Sequence, residues 1–99
     1  MIDHMGDVFR ALADPTRRII LDELLERDEQ TLFELCARLA NKHGLASTRQ
    51  AVSQHLDVLE QAGLVVTRRE GRYKFHSVDT APLHTIIDRW LSSERKDNT

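Results

Sequence analysis

Between Ser47 and Lys74 lie the side chains whose types and spacing carry the clearest chemistry in this chain. Arg49, Gln50, Ser53 and Gln54 fall three and four residues apart, so on a helix they share one side. That side is short, polar and uncharged at its centre. Such groups can read the edges of base pairs: Gln bonds bidentately to adenine, Arg to guanine, and Ser adapts to either. Further on, Arg68, Arg69, Arg72 and Lys74 are opposed only by Glu70, a gathering of cations suited to phosphate. Taken alone, the basic stretch is explained equally well as charge that keeps an exposed strand edge soluble. The polar helix beside it favours the phosphate reading.

A reading face needs a helix behind it, and the flanking residues supply one. Ser47 can cap a helix and Gln50, three residues on, can bond back to the Ser47 amide, so a capping box opens the segment and a helix starts near Thr48. Ala51, Val52, Leu56, Leu59 and Ala62 recur at helical spacing and lay an apolar stripe on a core, which turns Arg49, Gln50, Ser53, Gln54 and Asp57 outward. Gly63 fits the left-handed position that ends the helix, with Leu64 as the apolar contact beyond it. Leu64 to Arg69 and Arg72 to Val78 are rich in β-formers, and Glu70-Gly71 between them fits a two-residue turn. In that register Val66 pairs with Phe75 and Arg68 with Tyr73 on one side of a hairpin, while Thr67, Arg69, Arg72 and Lys74 share the other. A base-reading helix followed at once by a hairpin with a basic tip is the order of a winged helix-turn-helix.

The preceding chain fits that order. Ile2, Met5, Val8, Phe9 and Leu12 predict an amphipathic helix over residues 2–13. Asp14 then serves as N-cap and Pro15 as the first residue of a second helix, whose stripe is Ile20, Leu21, Leu24 and Leu25 and which should fray in the polar run Arg27 to Gln30. Thr31 to Glu34 is another capping box. The helix behind it carries Leu32, Leu35, Cys36, Leu39 and Ala40 on its apolar side and ends at Gly44. Leu45 and Ala46 complete the turn into the next helix, which would enter a major groove. After the hairpin, Asp79 or Thr80 can cap a last helix over 82–92, with Leu83, Ile86, Ile87, Trp90 and Leu91 along one side, and 93–99 reads as a frayed polar tail. The expected fold is mainly α with a small β-hairpin wing, in one domain covering residues 1–99. Its first and last helices carry more apolar surface than such a core needs. Met5, Val8, Phe9, Leu83, Ile86, Ile87 and Trp90 are therefore expected at a homodimer interface, the alternative being that the two helices only cover each other within one chain. Two reading helices related by a two-fold axis would meet half-sites of a pseudo-palindrome about 10 bp, or a multiple of it, apart.

Composition bounds the function classes. Ninety-nine residues, 40% hydrophobic and 30% charged, describe one ordinary globular domain. No apolar run exceeds a few residues, the N-terminus carries acids where a secretory signal would be basic, and the lone Cys36 rules out an intrachain disulfide, so a cytoplasmic protein with no membrane contact is expected. The formal net charge of −2 argues at first against a polyanionic partner. Distribution argues the other way: Asp22, Glu23, Glu26, Asp28, Glu29 and Glu34 gather with only Arg27 among them, far along the chain from the hairpin cations. An enzyme would need a nucleophile beside a base, a phosphate-cradling glycine loop or a metal. The chain has four glycines, none in a Gly-x-Gly arrangement, and Cys36 lies on the core side of its helix, so neither a catalytic residue nor a cofactor is expected. Winged helices that only join proteins should show apolar or acidic residues at 49, 50, 53 and 54, where this chain has Arg, Gln, Ser and Gln.

Three stretches in order resemble the ArsR-type winged-helix repressors: FRALADPTRRIIL from Phe9 to Leu21, RQAVSQHLDVLEQAGLV from Arg49 to Val65, and RREGRYKFHS from Arg68 to Ser77. The resemblance implies a homodimeric bacterial transcription regulator, with the first and last helices at the interface, that releases its double-stranded operator DNA when an inducer binds. It implies base contacts from Gln50, Ser53 and Gln54 and backbone contacts from Arg49 and His55, although His55 sits at the edge of the apolar stripe and could instead pack or bond locally. With the helix start at Ser47 and Thr48 and the hairpin residues Arg68, Arg69, Arg72, Tyr73 and Lys74, these make the expected DNA-contacting set. Metal-sensing members carry a Cys-x-Cys box in the third helix. Here Cys36 holds its first position but Arg38 replaces the second, and one cysteine beside a cation does not make a thiolate site. The family's other metal site uses acids and histidines of the last helix. His84 and Asp88 lie one turn apart but the rest of that set is absent, so a solvated pair is preferred to a metal sensor and no metal is expected. His4, His43 and His76 are scattered and read as surface or edge residues. The connection from Asn41 to Ala46 is longer than the family's usual one, which bears on the angle of the reading helix.

Overall fold

Polar caps divide the chain into helices where their chemistry requires it, in a computed structural model that describes residues 4–97. Ile2, expected in the first helix, lies outside the described residues, as does the His4 side chain. Helix α1 (His4–Ala13) gives way to α2 (Pro15–Glu26) at Asp14, whose carboxylate accepts from the amides of Thr16 (2.8 Å) and Arg17 (3.2 Å). Helix α3 (Leu32–His43) opens with the predicted box: Thr31 Oγ1 accepts from the Glu34 amide (3.2 Å) and Glu34 Oε1 from the Thr31 amide (2.9 Å). Gly44, at φ 64°, closes it. Helix α4 (Arg49–Gln61) starts one residue later than the sequence suggests. Its cap is Thr48, which accepts from the Ala51 amide at 3.0 Å, and not Ser47. Both hydroxyls cap well, but it is Thr48 whose backbone is extended (φ −70°, ψ 156°) directly before the helix, so the choice falls to Thr48 and the reciprocal bond from Gln50 is not made. At the far end Gly63 takes φ 80° and Leu64 N–H reaches back to the Leu59 carbonyl at 3.0 Å.

Strands β1 (Val65–Glu70) and β2 (Tyr73–Val78) form the antiparallel wing. Its turn is Gly71-Arg72, not Glu70-Gly71, and the partners are Arg68 with Phe75, Arg69 with Lys74, Thr67 with His76 and Val66 with Ser77. The reason is steric: a tight hairpin turn wants its first central residue left-handed, and Gly71 (φ 60°) adopts that conformation without the penalty Glu70 would meet. Moving the pairing by two residues leaves each side chain on its predicted side, because strand geometry repeats every two residues. Helix α2 ends at Glu26, where the polar run begins as expected, but the run itself is held in place at Gln30. Gln30 is fully buried and bridges to His76, with N to O distances of 3.1 and 2.8 Å, adding an isolated bridge to β2. Its side-chain amide donates to the carbonyls of Glu23 (3.0 Å) and Arg27 (2.8 Å) and so closes the end of α2.

The core is built by α1 to α4 and the start of β1. Ile20, Leu24, Leu35, Leu39, Leu59 and Leu64 are fully buried, each stabilising the fold by about 1.5 to 3 kcal/mol. Leu25, expected in the second helix's stripe, is exposed. Helix α5 (Ala81–Asp97) runs through 93–97, where a frayed tail was expected, while residues 98–99 lie outside the described part. Among its described side chains, half-buried Leu83 and Ile86 pack against the core. The molecule is accordingly elongated, 51 × 29 × 24 Å.

Candidate nucleic-acid interface

Helix α4 and the wing line one open groove of about 330 Å³. Arg49, Ser53 and Asp57, each four residues from the next, border it from α4; Arg72, Tyr73 and Lys74 border it from the wing; Phe33 closes it at the start of α3. Gln50 and Gln54 are exposed on the neighbouring strip of α4 and make no side-chain bond to another described residue. Arg69 and Arg72 are exposed and have no ion pair among the described residues. The groove thus gathers Arg49, Ser53, Arg72, Tyr73 and Lys74 of the expected set, with Gln50 and Gln54 on the adjoining strip: polar groups able to meet base edges along a helix, and cations beside them able to meet phosphates.

Several expected residues stand elsewhere. Arg68 is committed to the protein itself: Nε donates to Glu29 (2.8 Å), Nη1 to Glu70 (2.6 Å), and the guanidinium lies 4.9 Å over the Phe75 ring. It braces the wing against the α2–α3 connection. Thr48 uses its hydroxyl oxygen as a cap, and Ser47 is exposed in the connection before it. His55 is half-buried and turned toward α2, with Nδ1 at 3.3 Å from Arg17 Nη1. Phe33, 70% exposed, was missed although its signal was present: an aromatic on α3 that falls off the Leu32, Leu35, Cys36 and Leu39 stripe.

The acidic stretch is no uniform solvated surface. Glu23, 2% exposed, is clasped by Arg38 Nη1 (2.7 Å), Lys42 Nζ (3.0 Å) and His43 Nε2 (3.0 Å). Burial would raise its pKa, but hydrogen bonds from His43, Arg38 and Lys42 outweigh it and hold the carboxyl at about 2. His43 and His76 are therefore not idle surface residues. His76 is 5% exposed in the isolated bridge, and burial lowers its pKa despite the backbone bond to Gln30. Burial raises the Cys36 thiol, which keeps it protonated and a poor ligand. His84 and Asp88 are exposed, and no three ligand-type side chains converge on a metal position among the described residues.

Of the residues expected at an interface, Phe9, Ile87 and Trp90 are about half exposed, with the Phe9 and Trp90 rings 6.4 Å apart. Leu91 joins them. Met5, Leu83 and Ile86 are half-buried. Val8 is 2% exposed in the protomer's own core, because it lies on the side of α1 that faces the core, so it is not available to a partner.

A helix-turn-helix whose second helix keeps a bare polar strip, flanked by a basic wing, defines a DNA-binding transcriptional regulator. The family model of a helix-turn-helix domain matches residues 12–68. The chain is 50% identical over 84 residues to the HTH-type transcriptional regulator YuzN of Bacillus subtilis, covering 85% of this chain and 91% of that protein. It is 32% identical to the transcriptional repressor SdpR of the same organism, covering 88% of each. Among solved structures it is similar to an ArsR-like transcriptional regulator from Rhodococcus sp. RHA1, with a TM-score of 0.79, 30% identity, and coverage of 96% of this chain and 81% of that one. The chain belongs to the ArsR family of helix-turn-helix transcriptional regulators.

Proposed function

We propose that the protein is a homodimeric, cytoplasmic repressor that binds a pseudo-palindromic operator and needs no catalytic group for it. Gln50, Ser53 and Gln54 read bases, while Arg49, Arg69, Arg72, Tyr73 and Lys74 hold the backbone or the minor groove. The observation that carries this reading is the uncovered strip of α4 bordering a groove shared with the basic wing. A pair of protomers is supported by the exposed Phe9, Ile87, Trp90 and Leu91, side chains that a monomer would leave in water.

The test is a gel shift on DNA upstream of the protein's own gene, run across a salt series with random DNA as competitor. A retained complex at competitor excess, with half-sites about 10 bp or a multiple apart, is the expected result. Equal affinity for random DNA would overturn the assignment of base-reading residues. No helix among the described residues is long and apolar enough to cross a membrane.

A further inference from the structure

Arg17 belongs neither to the base-reading residues nor to the wing, yet its side chain is only 14% exposed and is held from several directions. Nε donates to the Ala11 carbonyl at 2.8 Å and Nη2 to the Arg10 carbonyl at 2.9 Å, closing the C-terminus of α1, where carbonyls lack partners within the helix. Nη1 lies 4.0 Å from Asp14 Oδ2 and 3.3 Å from His55 Nδ1, halfway along α4. One guanidinium therefore ties the end of α1 to the helix that borders the DNA groove.

The chemistry of that contact is restrictive. A guanidinium has donors and no acceptor, so His55 Nδ1 must accept, which makes the ring neutral with its hydrogen on Nε2. Nε2 bonds to no other described residue and is not among the fully buried atoms lacking a partner. We propose that Arg17 is a positioning residue for operator binding: it fixes His55 as the Nε2–H tautomer and thereby holds α4 at a set angle to α1. The proposal rests on α4 being the DNA-contacting helix. It differs from a mere cap on α1, which would leave His55 indifferent to Arg17.

Long-range nitrogen-proton NMR of the wild-type histidine rings reads the tautomer without any substitution. The expected spectrum shows His55 Nδ1 bare and Nε2 protonated; an Nδ1–H ring, or two tautomers in exchange, overturns the proposal. In gel shifts, Arg17→Met and His55→Leu should each lose on the order of tenfold in operator affinity, and the double variant no more than the larger single loss. His55→Gln, whose amide oxygen can accept from Arg17, should recover most of it. Additive losses, or no recovery with Gln, refute the coupling. The salt slope of Arg17→Met should equal that of the wild type, since no phosphate cation is removed; a slope lower by about one would place Arg17 on DNA directly and overturn the positioning role. If Arg17→Met does not fold, the wild-type spectrum and the His55 pair still decide. Wild-type protein without operator preference sinks the DNA reading and this proposal together, whereas preference with the wrong tautomer sinks this proposal alone.

Discussion

Gln54 is exposed on α4 and bonds to no other described residue, so its removal should leave the protomer intact and show only on DNA. Gln54→Ala is expected to relax specificity at one base pair and cost about 1 to 3 kcal/mol there, while Arg72→Ala should weaken all sequences alike and lower the salt slope by about one. Competition gel shifts separate the two, and identical losses on every sequence for both variants would count against the assignment. Glu23 is the opposite case, with every consequence inside the fold. Its folded pKa of about 2 lies below the ordinary 4.5, so its carboxylate stabilises the fold above pH 4.5 and that contribution is lost as pH falls toward 2. The shift corresponds to a stabilisation on the order of 3 kcal/mol. Urea unfolding at neutral pH and near pH 3 should show the loss in the wild type and a much flatter profile in Glu23→Gln; parallel profiles would mean that other acids set the acid sensitivity.

Among the elements, α4 and the wing are held by single local devices that substitutions can isolate. Thr48→Ala removes the bond to the Ala51 amide and should cost about 1 kcal/mol, whereas Ser47→Ala should stay within about 0.5 kcal/mol. Chemical denaturation measures both, and the reverse order would place the cap at Ser47. At the wing tip Gly71 has open space around it, so the objection to a side chain is conformational and not steric crowding. Gly71→Val should cost about 1 to 2 kcal/mol, with hydrogen exchange rising in β1 and β2 before it rises in α3. Wing exchange unchanged from the wild type would show that the turn tolerates a branched residue. Gln30 matters to the same element, since its bridge to His76 and the Arg68 pair with Glu29 anchor the hairpin to the end of α2.

The whole molecule is looser than its length requires. Its radius of gyration is 15.4 Å, against about 13 Å for a compact chain of this size, because much of α5 extends beyond the core. Phe9 lies on α1, and Ile87, Trp90 and Leu91 lie on α5, which has no buried residue among its described side chains. Trp90→Glu places a charge there without entering the protomer core. Sedimentation equilibrium should then report a monomer with unchanged far-ultraviolet circular dichroism, together with loss of tight binding to a full operator and retention of weak half-site binding. A variant that still sediments as the wild type does would move the interface elsewhere.

The amino-acid sequence determined what depends on neighbours a few residues away. Asp14-Pro15, Thr31 with Glu34, Gly44 and Gly63 set helix ends through local hydrogen bonds and backbone freedom; the apolar repeats set which strip of α4 faces the core. The sides of the hairpin were legible too, since an error of two residues in pairing cannot change a period of two. Only the tertiary structure decided what joins distant parts of the chain. It buried Glu23 among cations from α3, drew Gln30 to His76, turned Arg68 onto Glu29, and put Val8 inside while Phe9 stayed out. Charges and amides carry no periodic mark of their partners; which of them meet is fixed by how the helices and wing pack, and the contact of Arg17 with His55 exists only once α1, α2 and α4 have done so.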